Sequence, residues 1–176
     1  MKIGSLNIDV DSRIITVTGH RRESFGEDFE GICRAIRAIA LGYPEVQIVY
    51  PVHLNPNVQE PVHRILGQIE NIHLCDPLPY PEFAQLLTRS YLVLTDSGGI
   101  QEEAPALNVP VLVMRKITER PEGIAAGCAK LVGVTERSIT DGVSELLDNE
   151  QTHRAMAEAA NPYGDGRAAE RIIRLL

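Results

Sequence analysis

The chain has 176 residues, 44% of them hydrophobic, and a formal net charge of −7. That length suffices for one domain with a sizeable core, and no run approaches the ~20 apolar residues that a membrane helix requires. The acidic balance excludes non-specific attachment to a nucleic-acid backbone, which needs a basic face, but is compatible with a small anionic ligand held by a few placed groups.

The first twelve residues contain one lysine and alternate apolar with polar side chains. They lack the apolar h-region of a secretory signal, so residues 1–13 read as a lead-in to a domain over 14–176, and cytoplasmic residence is the expectation. Apolar runs of strand length follow at 14–18, 46–50, 72–75, 91–95, 110–114 and 129–132. Helical patterns separate them. The first, near 28–42, places Phe29, Ile32, Cys33, Ile36, Ile39 and Ala40 on one face and Glu30, Arg34 and Arg37 on the other. A second lies near 58–68 with Val62, Ile65 and Leu66; a third starts at Tyr80, with Pro81 in its first turn, and buries Phe83, Leu86 and Leu87. A fourth begins at Gly98, a short one spans 119–126, and the tail from 136 holds two or three more, the last from Asp165. This βαβα rhythm implies an α/β fold: a doubly wound parallel sheet with helices on both faces and ligands outside the carboxyl ends of its strands.

Cys33, Cys75 and Cys128 are odd in number and widely spaced, which opposes a disulfide framework and predicts buried free thiols. His63, His73 and His153 share no ligand spacing, so neither a metal site nor a cofactor is expected.

Residues 96–105, Asp-Ser-Gly-Gly-Ile-Gln-Glu-Glu-Ala-Pro, carry the most chemistry. Asp96 or Ser97 suits the N-cap of the helix that follows, and Gly98 and Gly99 let an anion reach main-chain N–H groups. Glu102 and Glu103 fall in the first turns, where a carboxylate pointing across the groove accepts both hydroxyls of a ribose diol. The other reading is a capped helix whose acidic residues complement its dipole. After the first strand, the loop Thr18–Gly26 holds His20, Arg21 and Arg22 but lacks GxGxxG spacing. There His20 can donate to a phosphate or act as an acid, and the arginines either clamp an anion, pair with Glu23 or face solvent. His53 follows the second strand, in a turn that two prolines already make rigid. Arg120 stands at a helix entrance, available to a diphosphate or to a salt bridge with Glu119 or Glu122.

Taken in order, GHRRESFG at 19–26, YPVHLNPNV at 50–58, DSGGIQEEAP at 96–105, ERPE at 119–122 and NPYGDG at 161–166 resemble the non-hydrolysing UDP-N-acetylglucosamine 2-epimerases, from about residue 14 to the C-terminus. The resemblance implies a Rossmann-like domain, one half of a two-domain glycosyltransferase-B-type architecture. It also implies a reaction that interconverts UDP-GlcNAc and UDP-ManNAc by eliminating UDP and adding it back after proton exchange at C2, a step toward cell-surface polysaccharides. By the same resemblance His20 is catalytic and touches substrate, Ser97, Gly98 and Gly99 hold the diphosphate, Glu103 binds the ribose, Arg120 reaches toward the nucleotide, and Phe83 with the main chain around Leu78 borders the uracil. Leu78 stands where relatives can have glutamine, so only a main-chain contact carries over. Arg21 and His53 face the interdomain site at which some bacterial members bind an activating UDP-GlcNAc. The acidic residues that exchange the C2 proton belong to the family's first domain, so the expected partners are a UDP-sugar, that missing N-terminal domain and a second copy in a homodimer, with no nucleic acid or membrane. The alternatives are the donor-binding domain of a UDP-sugar glycosyltransferase and a non-catalytic half needing a partner chain.

Overall fold

The structure, a computed structural model, describes residues 2–3, 6–8 and 11–175; Met1, Gly4, Ser5, Asp9 and Val10 of the expected lead-in, and Leu176, lie outside the described residues. Two short strands, β1 (Lys2–Ile3) and β2 (Leu6–Asn7), pair antiparallel ahead of the main sheet. Six parallel strands form that sheet: β3 (Ile14–Thr18), β4 (Gln47–Pro51), β5 (Ile72–Cys75), β6 (Ser90–Thr95), β7 (Val111–Val113) and β8 (Ala129–Leu131). Their spatial order is β5-β4-β3-β6-β7-β8. All six expected strands are present, each end within one residue of its expected place.

The helices are α1 (Glu27–Gly42), α2 (Pro56–Leu66), α3 (Tyr80–Arg89), α4 (Gly98–Glu103), α5 (Pro121–Ala126), α6 (Glu136–Asp148), α7 (Glu150–Ala157) and α8 (Ala168–Leu175). Several helix boundaries differ from expectation by one to three residues, two of them for evident local reasons. Helix α2 starts two residues early because the Asn55 side chain accepts the Asn57 N–H at 3.0 Å, and Pro56 in the first position has no N–H to lose. The last helix starts at Ala168 and not at Asp165, because the Asp165 carboxylate accepts the Arg167 N–H at 3.1 Å and pairs with Arg171 at 2.7 Å, closing a turn ahead of the helix.

Alternation along each strand sends neighbours to opposite faces. Ile15, Val17, Ile48, Tyr50, Leu92, Leu94 and Leu112 pack under α1, α2 and α6, while Ile14, Val49, Val93, Val111 and Val113 pack toward α3 and α4. Each such aliphatic side chain contributes roughly 1.5–3 kcal/mol by leaving water. Ile8, from the expected lead-in, is buried with Ile14, Val49 and Leu86. Burial raises the Cys33 thiol to about 12 and the Cys75 thiol to about 11, so both stay protonated at neutral pH. The expectation of three buried thiols holds for Cys33 and Cys128; Cys75, at the end of β5, is only half-buried. Among the described residues no helix is long and apolar enough to cross a membrane, and no cluster of side chains is suited to a metal ion.

The strand order reverses direction between β3 and β6, which opens a crevice at their carboxyl ends. Behind it, α6 approaches the sheet at Gly142, where an added Cβ would stand 2.7 Å from Val132 Cγ1. Val132 is β-branched, with little rotamer freedom to give way. Gly142→Ala is therefore expected to lower stability by about 1–2 kcal/mol even though alanine favours a helix by ~1 kcal/mol, seen as a lower urea midpoint at unchanged slope; an unchanged or higher midpoint would refute the packing argument.

Candidate functional site

The carboxyl ends of β3 and β6 are fastened to each other. Thr18 and Thr95 are register partners with hydroxyls 2.6 Å apart, the Asp96 N–H donates to the Thr18 carbonyl at 3.1 Å, and the Ser97 N–H donates to Thr95 Oγ1 at 2.9 Å. Asp96 is fully buried, and its Oδ2 accepts the main-chain N–H groups of His20 at 2.7 Å and Arg21 at 2.8 Å. Charge-assisted bonds of this kind are worth roughly 1.5–3 kcal/mol each, so the carboxylate dictates the path of the loop leaving β3. From the other side, the fully buried Tyr50 of β4 donates its hydroxyl to the Gly19 carbonyl at 2.8 Å, and burial holds that phenol protonated.

The loop so placed walls a cavity of about 220 Å³ together with residues from β4, the loop after β5, α3 and α4; Gly19, His20, His53, Leu78, Phe83 and Ser97 line it. The His20 and His53 rings stack at 5.2 Å with 10° between their planes, and His53 Nδ1 accepts the Asn55 N–H at 3.1 Å. The His20 side chain is 40% exposed, and its Nδ1 lies 3.5 Å from Asp96 Oδ1. Leu78 and Phe83 are half-buried against Ile8, Ile14, Val49 and Leu86. Ser97 takes the N-cap position of α4, but its hydroxyl caps no N–H among the described residues, and the Asp96 side chain turns to the β3 loop. The two capping candidates thus divide the work, one holding position and the other holding a distant loop. Gly99 is open on its outer side: a Cβ there would be 3.9 Å from Ser97 Oγ and 3.7 Å from Glu103 Oε1. The Glu103 carboxylate, beside the Tyr80 hydroxyl, pushes that phenol above its ordinary range.

Charged groups form a rim. Arg21 Nη2 donates to Glu119 Oε1 at 2.9 Å, and Arg115, whose side chain is 9% exposed, contacts Glu119 and pairs with Glu23 at 2.8 Å. Glu119 Oε1 stands 2.9 Å from where Gly98 would carry a Cβ, so only glycine lets this carboxylate rest against the start of α4. Its own main-chain N–H, then Arg115 and Arg21, keep the Glu119 carboxyl below the ordinary range in spite of partial burial. The pairing differs from both sequence expectations: Glu23 belongs to Arg115 and not to Arg21 or Arg22, and Arg120 pairs with Glu102 and not with Glu119 or Glu122. Arg120 lies outside the lining of the 220 Å³ cavity, whereas His20, His53, Leu78, Phe83 and Ser97 share it.

Two positions had no function assigned from sequence. The buried Gln101 donates to the Ser97 carbonyl at 3.2 Å and accepts the Thr118 hydroxyl at 2.5 Å, tying α4 to the loop before α5. Tyr163, from the NPYGDG turn, accepts the Gly123 N–H at 3.0 Å and so braces α5 behind Arg120. Neither leaves a periodic trace; the signal is only a polar residue on an apolar face and a tyrosine amid turn formers. The assembled arrangement offers the Ser97 hydroxyl, which caps no N–H among the described residues, and the His20 imidazole on a small cavity, with Gly98, Gly99 and the Glu103 carboxylate on the adjoining helix outside its lining, equipment suited to a phosphorylated ligand.

Residues 3–176 match the family model described as UDP-N-acetylglucosamine 2-epimerase. The chain is 56% identical over 169 residues to the UDP-N-acetylglucosamine 2-epimerase of Escherichia coli K12, covering 96% of this chain and 45% of that one. It superposes with a TM-score of 0.92 on the crystal structure of the Neisseria meningitidis UDP-GlcNAc 2-epimerase bound to UDP-GlcNAc, at 43% identity over 96% of this chain and 45% of that chain. The S. aureus MnaA–UDP co-structure superposes with a TM-score of 0.90 at 44% identity, covering 96% and 47%. The chain therefore spans about half the length of the relatives it matches.

The brace on the Gly19 loop is open to test. Tyr50→Phe is expected to cost about 1–2 kcal/mol through one lost buried hydrogen bond and to speed amide exchange at His20 and Arg21; unchanged stability and unchanged exchange would show that Tyr50 does not hold the loop.

Proposed function

Because this chain belongs to the UDP-N-acetylglucosamine 2-epimerase family, we propose that it is the UDP-binding half of a cytoplasmic enzyme that interconverts UDP-GlcNAc and UDP-ManNAc together with a second domain. The observation that carries the reading is the fastening of the His20 loop to the start of α4 by Asp96, which sets an imidazole beside a glycine-opened helix entrance at the switch point of the sheet. On this reading the diphosphate rests on the Ser97 hydroxyl and the Gly98 and Gly99 amides, Glu103 accepts the ribose hydroxyls, and Leu78 main chain and Phe83 border the uracil. Arg120 reaches the nucleotide after exchanging its Glu102 contact. A phosphate arriving at Gly98 competes with Glu119 for Arg21 and so frees a guanidinium for itself.

Elimination of UDP leaves negative charge on the departing diphosphate. Main-chain donors at α4 stabilise that charge, and His20 supplies a proton donor close by. Removing the C2 proton requires a base from the other domain. Arg21 and His53 are the residues proposed to face an activating nucleotide between domains, and their contacts with Glu119 and His20 link such a ligand to the reaction site.

Calorimetry with UDP tests the reading. The isolated chain is expected to bind UDP weakly, and Glu103→Ala to weaken that binding by on the order of 1–3 kcal/mol through loss of a charged acceptor; equal affinity would remove Glu103 from the site. The chain alone is expected not to turn over UDP-GlcNAc, and turnover at a rate comparable to a two-domain relative would overturn the assignment of the base to the other half.

A further inference from the structure

Asp96 has one carboxylate oxygen fully used and one that is not. Oδ2 takes two main-chain N–H groups, whereas Oδ1 is buried and has no hydrogen-bond partner among the described residues. A carboxylate oxygen withdrawn from water without a donor is costly, and the group facing it is His20 Nδ1 at 3.5 Å, long for a hydrogen bond and closed by a small rotation of the ring. The same carboxylate already grips the main chain of His20, so ring and backbone are held by one residue.

We propose that Asp96 is a positioning residue for His20: Oδ1 accepts the Nδ1–H, which fixes the neutral ring as the Nδ1-protonated tautomer, aims Nε2 at the cavity, and stabilises the imidazolium when Nε2 carries a proton. The orientation of Nε2 matters for the reaction only if His20 acts on the departing diphosphate, so the inference deepens the proposed function and rests on it; the tautomer itself is independent of it. A carboxylate is the fitting group because it presents two acceptors and no donor. Two main-chain N–H groups occupy one oxygen, and the other acceptor selects the protonation site on the ring.

Asp96→Asn separates this role from loop anchoring. The N–H groups of His20 and Arg21 both point at the Oδ2 position, so asparagine must place its oxygen there and its amide nitrogen against His20 Nδ1. The loop stays tied, but Nδ1 now faces a donor and becomes the acceptor, which forces the proton to Nε2. Two-bond 1H–15N correlation spectra of the histidine rings in this chain, recorded at mildly alkaline pH with His20 assigned through His20→Gln, read the tautomer directly. The expected result is a protonated Nδ1 in the unaltered chain and a protonated Nε2 in Asp96→Asn, with the backbone amide fingerprint otherwise preserved. A protonated Nε2 in the unaltered chain, or the same tautomer in both folded proteins, would overturn the inference. Should Asp96→Asn fail to fold, the unaltered chain alone still decides it. Calorimetry with UDP on the same samples keeps the two readings apart: a chain with Nδ1 protonated that does not bind UDP retains the Asp96–His20 pairing and loses the nucleotide assignment.

Discussion

A carboxylate sealed in a protein interior is expensive, and the buried Asp96 is tolerated because two main-chain amides from a loop 75 and 76 residues away in sequence converge on one of its oxygens. The rest of the crevice follows from that convergence. The β3 loop cannot relax toward solvent without abandoning the charge, so His20 stays over the mouth of β6, and the Gly19 carbonyl stays within reach of Tyr50. Hydrophobic packing supplies most of the stability of the sheet, yet it has no preference for where a polar loop goes. The bonds to Asp96, together with the paired Thr18 and Thr95 hydroxyls, provide that preference at the switch point.

Much of the fold was legible in the sequence because apolar residues recur at the period of the element that buries them. The face of α1 defined by Phe29, Ile32, Cys33, Ile36, Ile39 and Ala40 is buried as its spacing implies, and the six apolar runs are the six strands of the sheet. What could be read of the site was its local part: glycines at the start of α4, a histidine at a strand end, glutamates a turn later. What could not be read was pairing across the chain. Asp96 looked like a helix cap because capping is a nearest-neighbour pattern, whereas its actual partners lie on another strand's loop. The stacking of His20 on His53, the engagement of Arg115 by Glu23 and Glu119, and the ties made by Gln101 and Tyr163 are likewise consequences of tertiary proximity, which residue type and spacing do not encode one segment at a time.

The rim of the crevice carries one more consequence. Arg21 and Arg115 are both matched by Glu119 and Glu23, so the cations nearest the helix entrance project little field into the surroundings, and the chain as a whole is negative. On the proposed reading, an anion approaching this chain meets a mild net repulsion and engages Arg21 only at contact, as Glu119 yields. Added salt then shortens the reach of the repulsion, so capture of a negatively charged solute should quicken with ionic strength, opposite in sign to a basic funnel.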